Sequence, residues 1–136
     1  MPVGAAWLKQ AQQAENQRDT AGAAKLYRRI VREAPFNEPA VLAAARYHSR
    51  RNPTAAYDAL RSGLEENPRS VQLLQAYALA AADAGLGDYA ADALAKLREQ
   101  IPPGEYVTFA ASYAAHQTAR AAAAATFSAA PPPMLP

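Results

Sequence analysis

Pro35, Pro68 and Pro102 close three similar helical phrases and lie 33 and 34 residues apart. The phrases read AGAAKLYRRIVREAP from Ala21, TAAYDALRSGLEENP from Thr54 and DYAADALAKLREQIP from Asp88. In each, a small residue stands twelve positions before the proline (Ala23, Ala56, Ala90) and a larger one stands eight before (Tyr27, Leu60, Leu94). A period near 34 with helical punctuation marks stacked helix-turn-helix units, because one helix pair cannot bury its apolar stripe alone and must stack on others. The rhythm therefore sets an all-α fold and favours a binding scaffold over a catalyst.

Punctuation predicts eight helices. The first runs from about Gly4 to Gln17, with Trp7, Leu8, Ala11 and Ala14 on one face. Asp19 or Thr20 caps the second, which ends at Ala34-Pro35. Asn37 caps the third and Asn52 the fourth, each with a proline in the first turn (Pro39, Pro53), where a missing amide donor is harmless. Ser70 caps the fifth, which stops at Gly85; Gly87-Asp88 opens the sixth, which ends at Pro102-Pro103. The seventh is expected over about 104–117, and Thr118 or Ala119 starts an alanine-rich eighth that ends before Pro131. Nothing reads as strand, since apolar alternation is absent. The short connections force antiparallel neighbours, and the abundant alanine lets helix axes approach closely. The closing PPPMLP is expected to be a frayed tail, with a polyproline ligand role only weakly suggested.

Composition narrows the function classes. At 136 residues the chain has one domain's worth of core. With no Cys, disulfides, thiolate metal sites and thiol nucleophiles are all excluded; this is compatible with a reducing compartment. The net charge is +2, split as +3 up to Pro68 and −1 beyond it, which is not the concentrated basic stripe of a nucleic-acid binder. No stretch approaches the roughly 18 to 20 apolar residues needed to span a bilayer. The start MPVGAAWLKQAQQ lacks a basic n-region and a sustained apolar run, so no signal peptide is expected in it, although a targeting signal could lie upstream in a longer chain. The compartment stays open between cytoplasm and, within a larger exported protein, periplasm.

With the helices placed, the pattern resembles the tetratricopeptide repeat (TPR) family. Its motif asks for a large residue, an apolar-small pair and an aromatic on helix A, then small, aromatic, small and proline on helix B. The third unit fits well with Leu74, Tyr77, Ala78, Ala81, Ala90, Leu94, Leu97 and Pro102. The first supplies Trp7, Ala11, Ala14, Ala23, Tyr27, Ile30 and Pro35. The second supplies Ala40, Ala43, Ala44, Tyr47, Ala56, Leu60, Gly63 and Pro68, with one residue lost at the preceding turn. The units cover about 4–37, 38–69 and 70–102, and a degenerate fourth (103–130, with Tyr106, Phe109, Ala110, Tyr113 and Ala122) is read as a capping helix pair. Alanine stands wherever helix A usually carries glycine. The resemblance implies an antiparallel helix-pair solenoid, a right-handed superhelix whose concave side is lined by A helices, with 131–136 as a tail.

The resemblance also implies where a partner would lie. Transferred by phase, the groove positions are Leu8, Gln12, Glu15 and Asn16, then Glu38, Val41, Ala45, His48 and Ser49, then Gln72, Gln75, Leu79, Ala82 and Asp83. This amide-rich, nearly neutral set suits an extended or helical protein segment. A carboxylate clamp of the kind some TPR domains use is argued against, because its Lys, Asn and Arg positions hold Leu8, Gln12, Leu42, Gln72 and Ala76.

Bland readings outweigh sharp ones elsewhere. His48 and His116 stand in the sequence without a second histidine at helical spacing or a carboxylate-histidine motif, so no metal or catalytic role is assigned. Lys25, Arg28, Arg29 and Arg32 make a basic side of the second helix, read as a solvated convex face. The tyrosines fall at packing positions. Glu65-Glu66 and Glu99 close B helices without acid-base geometry. No phosphate loop, nucleophile elbow or metal-ligand spacing occurs. The expectation is a non-enzymatic scaffold binding a protein or peptide segment, without cofactor, metal, small-molecule substrate, nucleic acid or membrane insertion. The alternative is the terminal piece of a longer array with an architectural role in an envelope or secretion protein, self-associating through terminal helices such as that of Trp7 and Leu8. A nucleic-acid adaptor, resting only on the Arg-rich second helix, ranks third.

Overall fold

A computed structural model describes residues 4–128. Among them lie seven helices and no strand: α1 (Ala5–Asn16), α2 (Thr20–Glu33), α3 (Glu38–Ser49), α4 (Pro53–Glu66), α5 (Val71–Asp83), α6 (Gly87–Gln100) and α7 (Pro103–Ser128). The all-α expectation holds. The chain divides between Ile101 and Pro102 into two units, α1 to α6 in the first and α7 in the second. The PPPMLP segment lies outside the described residues.

Four helices start where short polar side chains can satisfy orphan amides. Asp19, Asn37, Asn52 and Ser70 each accept a hydrogen bond from the amide three residues on, at 3.0 to 3.2 Å. α6 has no such side chain; Asp88 in its first turn instead complements the positive end of the helix dipole. Two helices stop in the same way. Gly85, at φ 80°, follows α5 in the left-handed region, and the Leu86 and Gly85 amides donate back to Ala81 and Ala82. After α1 the residue in that conformation is Arg18, at φ 61°, with Asp19 and Arg18 donating to Ala14 and Glu15. The turn after α3 is tighter: both Arg51 and Asn52 amides donate to His48, and no residue there has positive φ.

In the first unit the turns between helices are three or four residues long, so each helix folds back on its predecessor. α1 also packs on α3, α3 on α5, and α2 on α4. The odd-numbered helices thus form one layer, and α2 and α4 lie side by side in another. Close approach rests on the alanines marked by the repeat: Ala11, Ala23, Ala44, Ala56, Ala78 and Ala90 are all at most 1% exposed. Tyr27, Ile30, Leu60 and Leu97 fill the space between them, whereas Leu94 is only half-buried. Gly63 of α4 is buried against Val41 and Leu73.

Tyrosines join successive hairpins. Tyr27 stacks on Tyr47 with ring centroids 4.8 Å apart, and the Tyr47 hydroxyl donates to the Thr20 carbonyl at 3.0 Å. At the next junction Tyr57 meets Tyr77 at 5.2 Å and Tyr89 at 6.2 Å, and the Tyr77 and Tyr57 hydroxyls are 3.2 Å apart. Desolvation, then the bond to Tyr57, pushes the Tyr77 phenol well above its usual range.

The eighth helix is a correction. The pair expected over 103–130 is one helix of 26 residues, about 39 Å long at 1.5 Å per residue. Thr118 does not cap a new helix; its hydroxyl donates to the Ala114 carbonyl four residues back, as mid-helix threonines do. No Gly or Pro interrupts the alanine-rich run from Glu105 to Ser128, so propensity carries the helix through it. Along α7 the half-buried residues Tyr106, Phe109, Ala110, Tyr113, His116 and Gln117 recur at helical spacing on one side, with Phe109 and Tyr113 rings 6.5 Å apart.

Candidate functional site

The expected groove positions differ in exposure along the odd-helix layer. On α5 the set falls on one partly open face: Gln72 is exposed, and Gln75, Leu79 and Asp83 are half-buried at successive turns, while Ala82 is buried. On α1, Leu8 is half-buried and packs on the core cluster, and Gln12, Glu15 and Asn16 are exposed. Glu15 is already engaged, accepting a 2.7 Å hydrogen bond from the Tyr27 hydroxyl. Desolvation first, and then that bond, pushes the Tyr27 phenol well above its usual range.

On α3 the structure places the set differently. Val41, Ala45 and His48 are buried and offer no side chain to a partner lying along the α1, α3 and α5 layer, whereas Glu38 is half-buried and Ser49 exposed. The reason is that α3 is flanked on both sides. Ala40, Ala44 and Tyr47 face the α1–α2 core, and Val41 turns to Gly63 of α4. His48 lies edge-on to Tyr27 and Tyr47, at 6.5 and 5.5 Å. What remains open on α3 is the line Pro39, Leu42, Arg46 and Ser49, roughly one residue round from the expected phase, or about 100° of helix. The clamp positions Leu8, Gln12, Leu42, Gln72 and Ala76 carry no cationic side chain.

The other layer holds a groove that sequence reasoning did not assemble. Between α2 and α4 lies a recess of about 500 Å³. Arg28, Val31, Arg32 and Pro35 form its α2 side; Ala55, Asp58, Ser62, Glu65 and Glu66 form its α4 side; His48 joins them from α3. One wall is basic and the other acidic, yet no ion pair within 4.0 Å crosses from Arg28 or Arg32 to Asp58, Glu65 or Glu66 among the described residues. Burial, then the positive charges of Arg28 and Arg51, hold the His48 imidazole below its ordinary range, so at neutral pH it is uncharged. The signal available in the sequence was the 33-residue offset between Arg32 and Glu65, which puts opposite charges at equivalent places in successive units.

A second recess of about 540 Å³, with Ala5, Leu8, Phe36 and Pro39 among its lining residues, lies at the turn end of the odd layer. There the Ser70 hydroxyl donates to Glu38, and the buried Nδ2 of Asn67 lacks a hydrogen-bond partner. Lys25, Arg28, Arg29 and Arg32 are exposed, as read for a solvated face. Arg29 does more than meet solvent, since its guanidinium lies 4.3 Å from the Trp7 ring centre and pairs with Glu33 at 2.7 Å. Among the described residues no cluster of His, Asp and Glu has metal-holding geometry, and no helix is long and apolar enough to cross a membrane. No protein-family model, curated protein or solved structure matches the chain.

Proposed function

We propose that the first unit is a TPR-like right-handed solenoid acting as a non-enzymatic scaffold, which holds a partner protein's segment along the layer of α1, α3 and α5. The observation that carries this reading is the line Gln72, Gln75, Leu79 and Asp83 on α5, two amides, one apolar side chain and a carboxylate that are half-buried or exposed beside a buried alanine core. Such a line offers hydrogen bonds and modest apolar contact to an extended or helical segment. Leu42 and Arg46 of α3 extend the surface in place of Val41, Ala45 and His48. The architectural alternative draws less support, because Arg29 already covers part of the Trp7 ring that would have to meet a further repeat. The test is photo-crosslinking in cells with a photoreactive amino acid at Leu79, at Leu42, and at Arg61 as an off-face control. The reading expects one protein partner captured from Leu79 and Leu42 but not from Arg61. Capture from Arg61 alone would discard the odd-helix layer as the binding face.

A further inference from the structure

We infer that the groove between α2 and α4 is a separate recognition site for a partner segment carrying both an acidic and a basic side chain. The site lies in the other helix layer and does not rest on the odd-helix reading. Arg28 and Arg32 stand one turn apart on α2, about 6 Å along its axis, and Asp58, Glu65 and Glu66 extend about 12 Å along α4. The two walls are complementary to each other but do not close on each other: Asp58 pairs only with Arg61 of its own helix, at 3.9 Å, and Arg28, Arg32, Glu65 and Glu66 make no ion pair within 4.0 Å among the described residues around the 500 Å³ opening. A segment with a carboxylate toward α2 and an ammonium or guanidinium toward α4 would replace water on both walls at once, with the forked guanidinium geometry favouring the carboxylate.

His48 is the independent observation that points to a ligand. Its side chain is 95% buried, being 5% exposed, and it joins the lining of the groove. Its ring lies at a steep angle to those of Tyr27 and Tyr47, with centroids 6.5 and 5.5 Å away. A largely buried imidazole that borders an open recess can exchange a hydrogen bond with a group that enters the recess. A neutral imidazole has one donor and one acceptor, so it fits the peptide backbone or the carboxylate of such a segment. Val31, Pro35 and Ala55 supply apolar walls for the chain between the two charges.

The same arrangement discriminates against other classes. A nucleic acid or an anionic lipid surface would meet Asp58, Glu65 and Glu66 along with the arginines, and a polycation would meet Arg28 and Arg32. Only a ligand bearing both signs finds each wall favourable.

The experiment is an NMR titration of the full chain with blocked tetrapeptides: acetyl-Glu-Ala-Ala-Lys-amide, its Gln-Ala-Ala-Gln counterpart, and a single-stranded RNA oligonucleotide as polyanion. The expected result is saturable movement of the His48 ring and Ser62 signals with the charged peptide only, with Gln75 signals unmoved. The exposed double variant Arg28→Ala/Arg32→Ala should fold normally and weaken that binding about tenfold or more. The inference is overturned if His48 signals stay fixed up to about 10 mM peptide, if the neutral peptide or the RNA moves them equally, or if the double variant binds unchanged. Because Gln75 and Leu79 are not involved, failure here leaves the odd-layer proposal standing, and failure there leaves this one.

Discussion

Gly63 meets Val41 so closely that a Cβ added to the glycine would lie 2.9 Å from Val41 Cγ1, with the Leu73 methyls at 3.4 Å on its other side. Ordinarily Gly→Ala inside a helix gains about 1 kcal/mol from backbone propensity. Here the neighbour is β-branched and stiff at χ1, and overpacking a core costs about 1–3 kcal/mol. Gly63→Ala should therefore destabilise the fold by about 1 kcal/mol net. In a Val41→Ala background the clash disappears and the same change should become neutral or stabilising. Urea unfolding of the four proteins in this double-mutant cycle checks the reversal of sign.

Arg18 occupies the left-handed conformation that Gly85 occupies at the equivalent turn. A side chain there costs about 1 kcal/mol that glycine avoids. Arg18→Gly should raise stability by about 0.5–1 kcal/mol after the added freedom of the unfolded chain is subtracted. Gly85→Ala should lower it by a similar amount, although nothing lies within 4 Å of the new methyl. Thermal melts of both variants decide the matter: equal and opposite shifts are expected.

His48 should make the fold sensitive to mild acid. Its imidazole is held below the usual value of 6.5 by burial and by Arg28 and Arg51, so the unfolded chain binds the proton more readily than the folded one. Above the unfolded value the group costs nothing; as pH falls below it, protonation favours unfolding, and stability is lost down to the depressed folded value. Melting temperature should decline between about pH 7 and 5. His48→Gln should flatten the decline attributable to this site, read as the difference between the two pH curves. An unchanged slope in the variant would show that other groups carry it.

Trp7 is the sole tryptophan, and its ring is covered by Arg29. Arg29→Ala should redden its fluorescence and increase quenching by acrylamide, while costing no more than about 1 kcal/mol of stability. A blue shift with protein concentration in that variant would indicate that the bared ring recruits a second copy through α1.

The parts legible in the sequence were those decided by near neighbours. Asp19, Asn37, Asn52 and Ser70 cap helices because their side chains reach amides three residues away, whatever lies elsewhere. The buried alanines were legible because the sequence period sets one at the same place in each of the six helices, and all six are buried. The open side of α3 was not, since it depends on which of two flanking hairpins claims each side chain, and Val41, Ala45 and His48 are all claimed. Nor was the charged groove, whose walls belong to different hairpins and enclose Glu65 and Glu66, read from sequence as mere helix ends. The single α7 was missed for the opposite reason: Thr118 looks like a start signal locally, and only the uninterrupted alanine around it decides otherwise.

The neighbour-on-neighbour stacking of the first unit has a mechanical consequence. Each hairpin leans only on those adjacent to it, so the free energy of opening is set link by link along the chain. The α3–α4 hairpin is clasped on both sides by the tyrosine junctions, while α1–α2 hangs from one of them. Under tension or mild denaturant the unit should peel from α1 inward rather than melt all at once, with slowest amide exchange around Ala44 and Tyr47. A chain built this way yields gradually and recloses from a surviving middle.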